Sequence, residues 1–253
     1  VVRAYQQTCA AIVDRFGGHI AQYLGDGLLI YFGFPNAHEE GPTRALRAGL
    51  DIVRAITKFE FRRSDGSKTK LFVRVGIHTG LVVAGEMGTR GRPERLALGA
   101  TPNIAARLQT LAPKNSVVVS ADTRRLTEGY FEFEELGERV QSGSQNIVGF
   151  RVLRTSDVQT RFELAVARGL TPFQNRESEH ETLRLCWLRA TEGHGGLAFI
   201  SGEAGIGKSR LVHQLQGALE SDGELWLVGR GSPFKRDDAF WPLAEALRQL
   251  LDG

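Results

Sequence analysis

A glycine-rich segment in the last quarter of the chain constrains its fold more than any other stretch. Residues 202–209 read GEAGIGKS and fit the pattern G-x-x-x-x-G-K-[ST] in full. An apolar run at 197–201 precedes this segment, and apolar residues at helical spacing between Leu211 and Leu219 follow it. A strand, a glycine-rich loop and a helix in that order predict the start of a parallel α/β domain that binds phosphate.

Each part of this loop suits a nucleoside triphosphate. Backbone N–H groups can surround the phosphates where glycines leave room, and a helix N-terminus favours an anion. We expect the Lys208 ammonium to reach the β- and γ-phosphates and the Ser209 hydroxyl to bind Mg²⁺. The alternative is a glycine-rich turn with an exposed lysine, and the pattern predicts binding of ATP but not its hydrolysis. The predicted ATP-binding residues are Gly202, Gly205, Ile206, Gly207, Lys208 and Ser209.

Composition limits the class of protein. Hydrophobic residues make up 42% and charged residues 24% of the 253 positions, as in a soluble globular protein with a core. No apolar run reaches the ~18 residues of a membrane span, and no dense Lys/Arg run with aromatic residues indicates nucleic acid. Cys9 and Cys186 lie far apart, which favours a reducing, cytoplasmic location. The chain starts at Val1 and ends on a helical pattern, so we expect it to be a piece of a longer protein.

A second informative stretch surrounds Asp26. Two apolar runs, 19–24 and 28–32, flank a Gly-Asp-Gly tip, which predicts a β-hairpin. Glycine tolerates the positive φ of a tight turn, so this tip can hold one carboxylate in place. Such a carboxylate suits a metal ion held against a phosphate, although Asp is also common in turns that bind nothing.

The rest of residues 1–153 alternates between helical and strand patterns. Helices are predicted at 1–16, 39–61, 101–111 and 122–126, with Thr101 as N-cap of the third and Pro102 at its first position. Strands are predicted at 71–77, 117–119, 130–133 and 147–153, and a turn at 78–80 joins the first of them to a strand at 81–84 as a second hairpin. This order predicts an α+β domain with helices on one face of a mainly antiparallel sheet.

Three segments of this region, 17–32, 73–88 and 98–111, resemble the catalytic domain of class III adenylate and guanylate cyclases. The resemblance implies a ferredoxin-like α+β fold, here without its first strand, that converts ATP to cyclic AMP and pyrophosphate. It implies Mg²⁺ or Mn²⁺ as cofactor, with Asp26 as one metal ligand and a second aspartate expected before Val1. It also implies a homodimer, since the active site of this family lies between two protomers.

The same resemblance assigns roles to two residues of the third helix. Asn103 corresponds to the asparagine that orients the ribose, and Arg107 corresponds to the arginine that stabilises the transition state. Their i, i+4 spacing places both on one helix face. Asp26 of one protomer is then expected to face Asn103 and Arg107 of the other, and the alternative is an ordinary solvated Asn and Arg.

Three positions depart from the family. The purine-reading lysine corresponds to Gln22, and the second purine-reading position corresponds to Leu96, which cannot hydrogen-bond a base edge. A lysine near the end of the domain is also missing, and Arg139 is the nearest cation. These departures leave two interpretations open: altered base recognition, or a domain that has stopped catalysing.

Residues 197–212 resemble the P-loop of multidomain signal-transduction ATPases related to the AAA superfamily. We therefore predict a cyclase-like domain at 1–154, a linker at 155–172 and the N-terminal part of a P-loop ATPase domain at 173–253. Three functions stay open at this point. They are an adenylate cyclase regulated by an ATP-binding domain, a catalytically degenerate nucleotide-sensing switch, and a scaffold or transcriptional regulator whose output domain lies beyond Gly253.

Overall fold

The computed structural model of the protein describes residues 1–38, 40–62, 68–87, 94–142, 145–156, 158, 160–203, 205–219, 225–231 and 238–252. The chain forms two compact units, Val1–Gln159 and Thr160–Gly253. Within the described ranges, no helix combines the length and the apolar character that crossing a membrane requires.

The first unit alternates helices with short strands. Its helices are α1 Val2–Arg15, α2 Gly41–Thr57, α3 Ala100–Leu111 and α4 Ala121–Leu126. Its strands are β1 His19–Leu24, β2 Gly27–Tyr31, β3 Glu60–Arg62, β4 Lys68–Lys70, β5 Arg74–Ile77, β6 Val83–Met87, β7 Glu94–Leu98, β8 Ser116–Ser120, β9 Phe131–Ser142 and β10 Gln145–Thr155. All four predicted helices are present. β9 and β10 are longer than predicted, because their backbones stay paired from Phe131↔Thr155 to Ser142↔Gln145, beyond the apolar residues.

The main sheet of this unit has the strand order β5-β8-β10-β9. β10 pairs antiparallel with β8 and β9, whereas β5 pairs parallel with β8. The predicted hairpin between 71–77 and 81–84 is therefore wrong, since β6 pairs antiparallel with β7 instead of β5. Alternating apolar residues predict a strand but do not select its partner, and β5 lies beside the fully buried β8. Residues 78–82 thus connect two different sheets.

Helices cover both faces of this sheet, and not one face as predicted. Leu46 of α2 packs in one cluster with Val117 and Val119. Leu108 of α3 packs in another with Val118. Successive side chains of a strand point to opposite faces, so three consecutive valines need cover on both sides. All of β8 is buried as a result.

α3 crosses β5 at very short distance. A Cβ atom at Gly76 would lie 2.2 Å from the carbonyl oxygen of Ala105 and 2.3 Å from the backbone nitrogen of Gln109. Only glycine allows this approach, because both neighbours are backbone atoms that cannot move aside alone. α3 can therefore lie this close to the sheet because residue 76 has no side chain.

The start of α3 differs from the prediction. The N-cap is Gly99, with a φ of 139°, and the helix begins at Ala100. Thr101 lies inside the first turn and does not cap the helix. Its hydroxyl donates instead to the carbonyl oxygen of Leu81 at 2.8 Å, which ties α3 to the connection between β5 and β6.

The second unit is described through four helices. They are α5 Arg161–Ala167, α6 Glu177–Thr191, α7 Lys208–Leu219 and α8 Trp241–Asp252. α5 falls inside the segment predicted as a linker. A capping box fixes its start, with Thr160 and Glu163 each bonding the other's backbone N–H. The T-x-x-E spacing was therefore a helix signal that the composition of the segment concealed.

The strand predicted at 197–201 is not formed in the described part of this unit, and the apolar segment at 225–228 forms no strand there either. A β-strand exists through hydrogen bonds to a neighbour, and neither segment pairs with another among the described residues. Leu197 is 81% and Phe199 87% exposed. The apolar pattern correctly marks residues suited to burial, but the pattern alone does not supply the neighbour that buries them.

Candidate nucleotide sites

The β1–β2 hairpin holds Asp26 at its tip, as predicted. The two strands pair antiparallel up to Leu24↔Gly27, which leaves Gly25 and Asp26 as the turn residues. Gly25 has a φ of 65°, while Asp26 has no positive φ, as in a type II′ turn. The Asp26 side chain is exposed, so its carboxylate is available to a ligand.

Tyr5 of α1 lies within electrostatic range of this carboxylate, although helical spacing predicts Tyr5 only as an apolar position. Burial raises the pKa of the Tyr5 phenol above its ordinary value, and Cys9 and then the charge of Asp26 raise it further. Burial also raises the pKa of the Cys9 thiol to about 11. Both groups therefore stay protonated near pH 7 and add no negative charge close to Asp26.

The two predicted base-reading positions lie on strands of two different sheets that contact each other. Gln22 is an exposed residue of β1 and follows an irregularity in the pairing between Ile20 and Gln22. Such a bulge changes the direction of the next side chains. β1 contacts β7, which carries Leu96 opposite Gly85 of β6. The side chains of Leu96 and Arg139 lie outside what the structure describes.

α3 presents Asn103 and Arg107 together on its exposed face. Ile104 and Leu108, on the other face of the helix, are 8% and 0% exposed and anchor it to the sheet. The predicted division of this helix into a packing face and a polar face is therefore present. The two polar side chains are held by a helix whose position the core and Gly76 define.

Within one chain the structure does not join the two halves of the predicted site. Among the described side chains, no hydrogen bond or ion pair links Asp26 to Asn103 or Arg107. Among the described residues the Asp26 hairpin forms a separate two-stranded sheet, whereas Asn103 and Arg107 lie on a helix packed against the main sheet. The carboxylate and the polar pair are thus carried by separate elements.

The P-loop has the backbone that its glycines predict. Gly202, Gly205 and Gly207 have φ values of 155°, 81° and 100°, which other residues rarely adopt. α7 begins at Lys208 and places Ser209 in its first turn. The Lys208 ammonium donates to the carbonyl oxygens of Gly202 at 2.8 Å and Glu203 at 2.7 Å. The Lys208 side chain thus lies over its own loop. A phosphate oxygen could there replace the two carbonyl oxygens as hydrogen-bond acceptor.

The donor atoms at both positions are compatible with Mg²⁺. Asp26 offers one exposed carboxylate, and Ser209 offers a hydroxyl at a helix start. Mg²⁺ is usually held by one or two carboxylates together with substrate phosphates. The described residues contain no group of three or more His, Cys, Asp or Glu side chains placed for a metal. Each position therefore fits a metal ion whose other ligands come from a nucleotide.

Known families match both units. The family model described as the adenylate and guanylate cyclase catalytic domain matches residues 7–154. The model of the AAA ATPase domain matches residues 172–253. These matches confirm the two resemblances found in the sequence.

Individual relatives extend the comparison. An uncharacterized protein of Rhizobium meliloti (strain 1021) is 31% identical over 260 residues, which cover 100% of this chain and 24% of that protein. An adenylate cyclase of Anabaena cylindrica is 31% identical over 123 residues, or 46% of this chain and 23% of that protein. The chain therefore spans about a quarter of the length of these two curated relatives.

A solved structure supports the fold of the first unit. The guanylate cyclase domain of RhGC from Catenaria anguillulae, crystallised with GTP, superposes with a TM-score of 0.55 at 24% identity. The match covers 61% of this chain and 82% of that domain. At this level of identity the likeness concerns the fold, and it confirms the predicted α+β cyclase-domain architecture.

Proposed function

Since this chain belongs to the family of adenylate and guanylate cyclase catalytic domains, we propose that its first unit converts ATP to cyclic AMP and pyrophosphate. The observation that carries the proposal is the position of Asn103 and Arg107 on the exposed face of α3. Their helix is fixed by buried Ile104 and Leu108, so two side chains suited to a ribose and a phosphate are held rigidly on one surface.

In the proposed reaction the ribose 3′-oxygen attacks the α-phosphorus, and the bond to the pyrophosphate oxygen breaks. Asn103 hydrogen-bonds the ribose and aligns the 3′-oxygen with the α-phosphorus. The Arg107 guanidinium donates to the α-phosphate oxygens, where negative charge increases in the transition state. Both residues would act without changing their own protonation state.

Asp26 would hold Mg²⁺ or Mn²⁺ in this site, with the nucleotide phosphates as further ligands. When bound, such an ion lowers the pKa of the attacking hydroxyl and neutralises charge on the leaving pyrophosphate. Asp26 itself would supply one exposed carboxylate at a two-residue turn.

We propose that the active form is a homodimer. Asp26 lies on a separate element from Asn103 and Arg107, and the described residues of one chain do not link them. In a two-fold dimer, Asp26 of each protomer would face the α3 residues of its partner, and two equivalent sites would form.

We expect selectivity between ATP and GTP to be weak. Leu96 has no hydrogen-bonding group, and the Gln22 amide can both donate and accept, so neither residue rejects one purine. The same substitutions favour a second candidate function. In that case the first unit is a catalytically degenerate module that dimerises or senses nucleotide within an ATPase-driven signalling switch or transcriptional regulator.

We further propose that the second unit binds ATP at the P-loop and regulates the cyclase in the cytoplasm. Lys208 already lies over the loop that would receive the phosphates. A phosphate at this position would exchange the two carbonyl contacts of Lys208 for stronger contacts to an anion.

The test is an assay of cyclic nucleotide formation by the full-length protein with ATP or GTP and either Mg²⁺ or Mn²⁺. We expect cyclic AMP from the wild type and at least a ~100-fold loss of kcat in Arg107→Ala, because one transition-state contact disappears. Arg54→Ala is the matched control, since Arg54 is a 70% exposed arginine on α2. No product from either nucleotide, with ATP binding at the P-loop intact, would instead support the degenerate module.

A further inference from the structure

A chain of hydrogen-bonded side chains lies at the end of β5. Nδ1 of His78 lies 2.7 Å from Oγ of Ser120, and Ser120 Oγ lies 3.2 Å from Thr123 Oγ1. Thr123 in turn donates to the hydroxyl oxygen of Thr79 at 3.0 Å. Ser120 is 3% and Thr123 0% exposed, so water does not compete for these contacts, and their geometry is well defined.

His78 joins this chain through one ring nitrogen. Nδ1 lies within hydrogen-bonding distance of Ser120 Oγ, where a neutral imidazole can donate or accept according to its tautomer. Burial lowers the pKa of His78, with an opposing effect from Asp122 of α4. The ring is therefore neutral near pH 7.

The same connection also contacts the first turn of α3. The carbonyl oxygen of Leu81 accepts a hydrogen bond from Thr101 Oγ1. A Cβ atom at Gly80 would lie 2.7 Å from Thr101 Oγ1 and 3.1 Å from His78 Nε2. The backbone of Gly80 therefore lies close to both of these side chains. Residues 78–81 are fixed to β8 and α4 at one end and to α3 at the other.

We propose that His78 is a positioning residue for the cyclase reaction, which fixes the first turn of α3, and with it Asn103, through residues 78–81. This inference rests on the proposed function, because it takes Asn103 as the residue that orients the ribose. Asn103 follows Thr101 by less than one helical turn, so a shift of Thr101 moves Asn103 as well. A small misplacement of a group that aligns reacting atoms lowers kcat about 10- to 100-fold.

A role in stability alone predicts a different pattern, and Ser116 provides the control. Ser116 lies at the opposite end of β8, is 4% exposed, and donates to the carbonyl oxygen of Pro113 at 2.8 Å. Ser116→Ala therefore removes a buried hydroxyl from the same strand, away from the connection to α3. Its effect on stability matches that of breaking one hydrogen bond in the His78 chain, without the proposed effect on Asn103.

The experiment compares steady-state kinetics and urea unfolding of five variants of the full-length protein. His78→Ala removes the imidazole, and His78→Asn keeps an amide group that can donate or accept near the position of Nδ1. Thr101→Val keeps the shape of Thr101 but removes its donor to Leu81. The His78→Ala/Thr101→Val double variant tests whether both act through the same connection, and Ser116→Ala is the control.

We expect kcat to fall about 10- to 100-fold in His78→Ala and Thr101→Val, with KM changed less than about twofold because substrate binding is retained. The double variant should lose no more than the worse single variant, since both break one connection. His78→Asn should recover most of kcat, and Ser116→Ala should keep wild-type kcat. Wild-type kcat in His78→Ala, multiplicative losses in the double variant, or an equal loss in Ser116→Ala would overturn the inference.

A second readout needs no turnover. Amide hydrogen exchange at residues 103–105 should accelerate in His78→Ala and Thr101→Val but not in Ser116→Ala. Equal exchange in all variants would overturn the link between His78 and α3. If the wild type forms no cyclic nucleotide, the proposed function fails, and the exchange rates alone then decide whether His78 fixes α3.

Discussion

In the first unit β8 is buried along its whole length between α2 and α3, whereas in the second unit the run before the P-loop leaves Leu197 81% and Phe199 87% exposed. The sequence motifs of the two units differ in the opposite direction. The first unit carries Gln22 and Leu96 at the positions where the resemblance predicts base-reading residues, and the second carries every position of the P-loop pattern. In this chain, the unit with the better-packed strand is therefore not the unit with the complete motif.

This difference tells us how each unit should be tested. In the first unit the scaffold is defined, so substitutions separate catalysis from stability. In the second unit the loop is defined, so ligand binding is the informative measurement. The chain provides separate probes, because Trp187, Trp226 and Trp241 all lie in the second unit and all four tyrosines lie in the first.

The same substitution should have opposite effects in the two units. Gly76→Ala should destabilise the first unit by about 3 kcal/mol or more, because its Cβ would overlap the backbone of α3. Gly217→Ala should stabilise α7 by about 0.5–1 kcal/mol, because nothing lies within 4 Å of a Cβ there. Urea unfolding of the 253-residue chain, followed separately through tyrosine and tryptophan signals, measures both effects. A stable Gly76→Ala variant with unchanged tyrosine transition would contradict the close packing of α3.

The two cysteines allow the reactivity of a buried thiol in the first unit to be compared with that of an exposed thiol in the second. Burial raises the pKa of Cys9 to about 11, while Cys186 of α6 is exposed. Since the thiolate is the reactive form, alkylation at pH 8 should be at least ~100-fold faster at Cys186 than at Cys9. Mass spectrometry after a timed iodoacetamide reaction gives both rates, with urea-unfolded protein as the control in which the rates converge. Comparable rates in the folded protein would show that α1 is not packed as described.

Lys208→Ala should weaken ATP binding to the second unit by about 10- to 100-fold, the value of losing hydrogen bonds to a charged group. Titration calorimetry of the chain measures this change, and Lys114→Ala is a matched control in the first unit, where Lys114 lies over the Phe72 ring. Unchanged ATP affinity in Lys208→Ala would contradict the proposed binding of ATP at the P-loop. The tyrosine unfolding transition should not change in this variant.

Acid should destabilise the first unit slightly through His78. Burial lowers the pKa of this histidine, so the unfolded chain binds a proton more readily than the folded chain. The contribution of His78 to stability is complete above the ordinary histidine pKa of about 6.5, and stability falls as the pH drops below it. His78→Asn should flatten this part of the profile, and an identical slope in wild type and variant would contradict the assignment.

The sequence predicted local features well, and partner choice poorly. The Asp26 hairpin, the exposed Asn103–Arg107 face of α3 and the helix that follows the P-loop all follow from turn residues and periodicity that act over a few positions. The pairing of β5 with β8 was missed, because alternation does not identify a partner. Cover on both faces of β8 was also missed, although its three consecutive valines carried that information.

Two further features were beyond local reasoning for a physical reason. Gly76 is an ordinary strand glycine in the sequence, and only the distance to Ala105 and Gln109 shows its role. His78 and Ser120 lie 42 positions apart, so their contact depends on the register between β5 and β8. Thr160 and Glu163, in contrast, form a capping box that a three-residue spacing was sufficient to reveal.

In the proposed dimer, a cyclase site forms from Asp26 of one protomer and the α3 residues of the other. The most direct test mixes Asp26→Asn with Arg107→Ala, each inactive alone, under conditions in which subunits exchange. Random pairing makes half of the dimers mixed, each with one intact site, so about a quarter of wild-type cyclic AMP formation should return. Asp14→Asn, an exposed carboxylate of α1, replaces Asp26→Asn in the control. No recovery of activity in proven mixed dimers would contradict the claim.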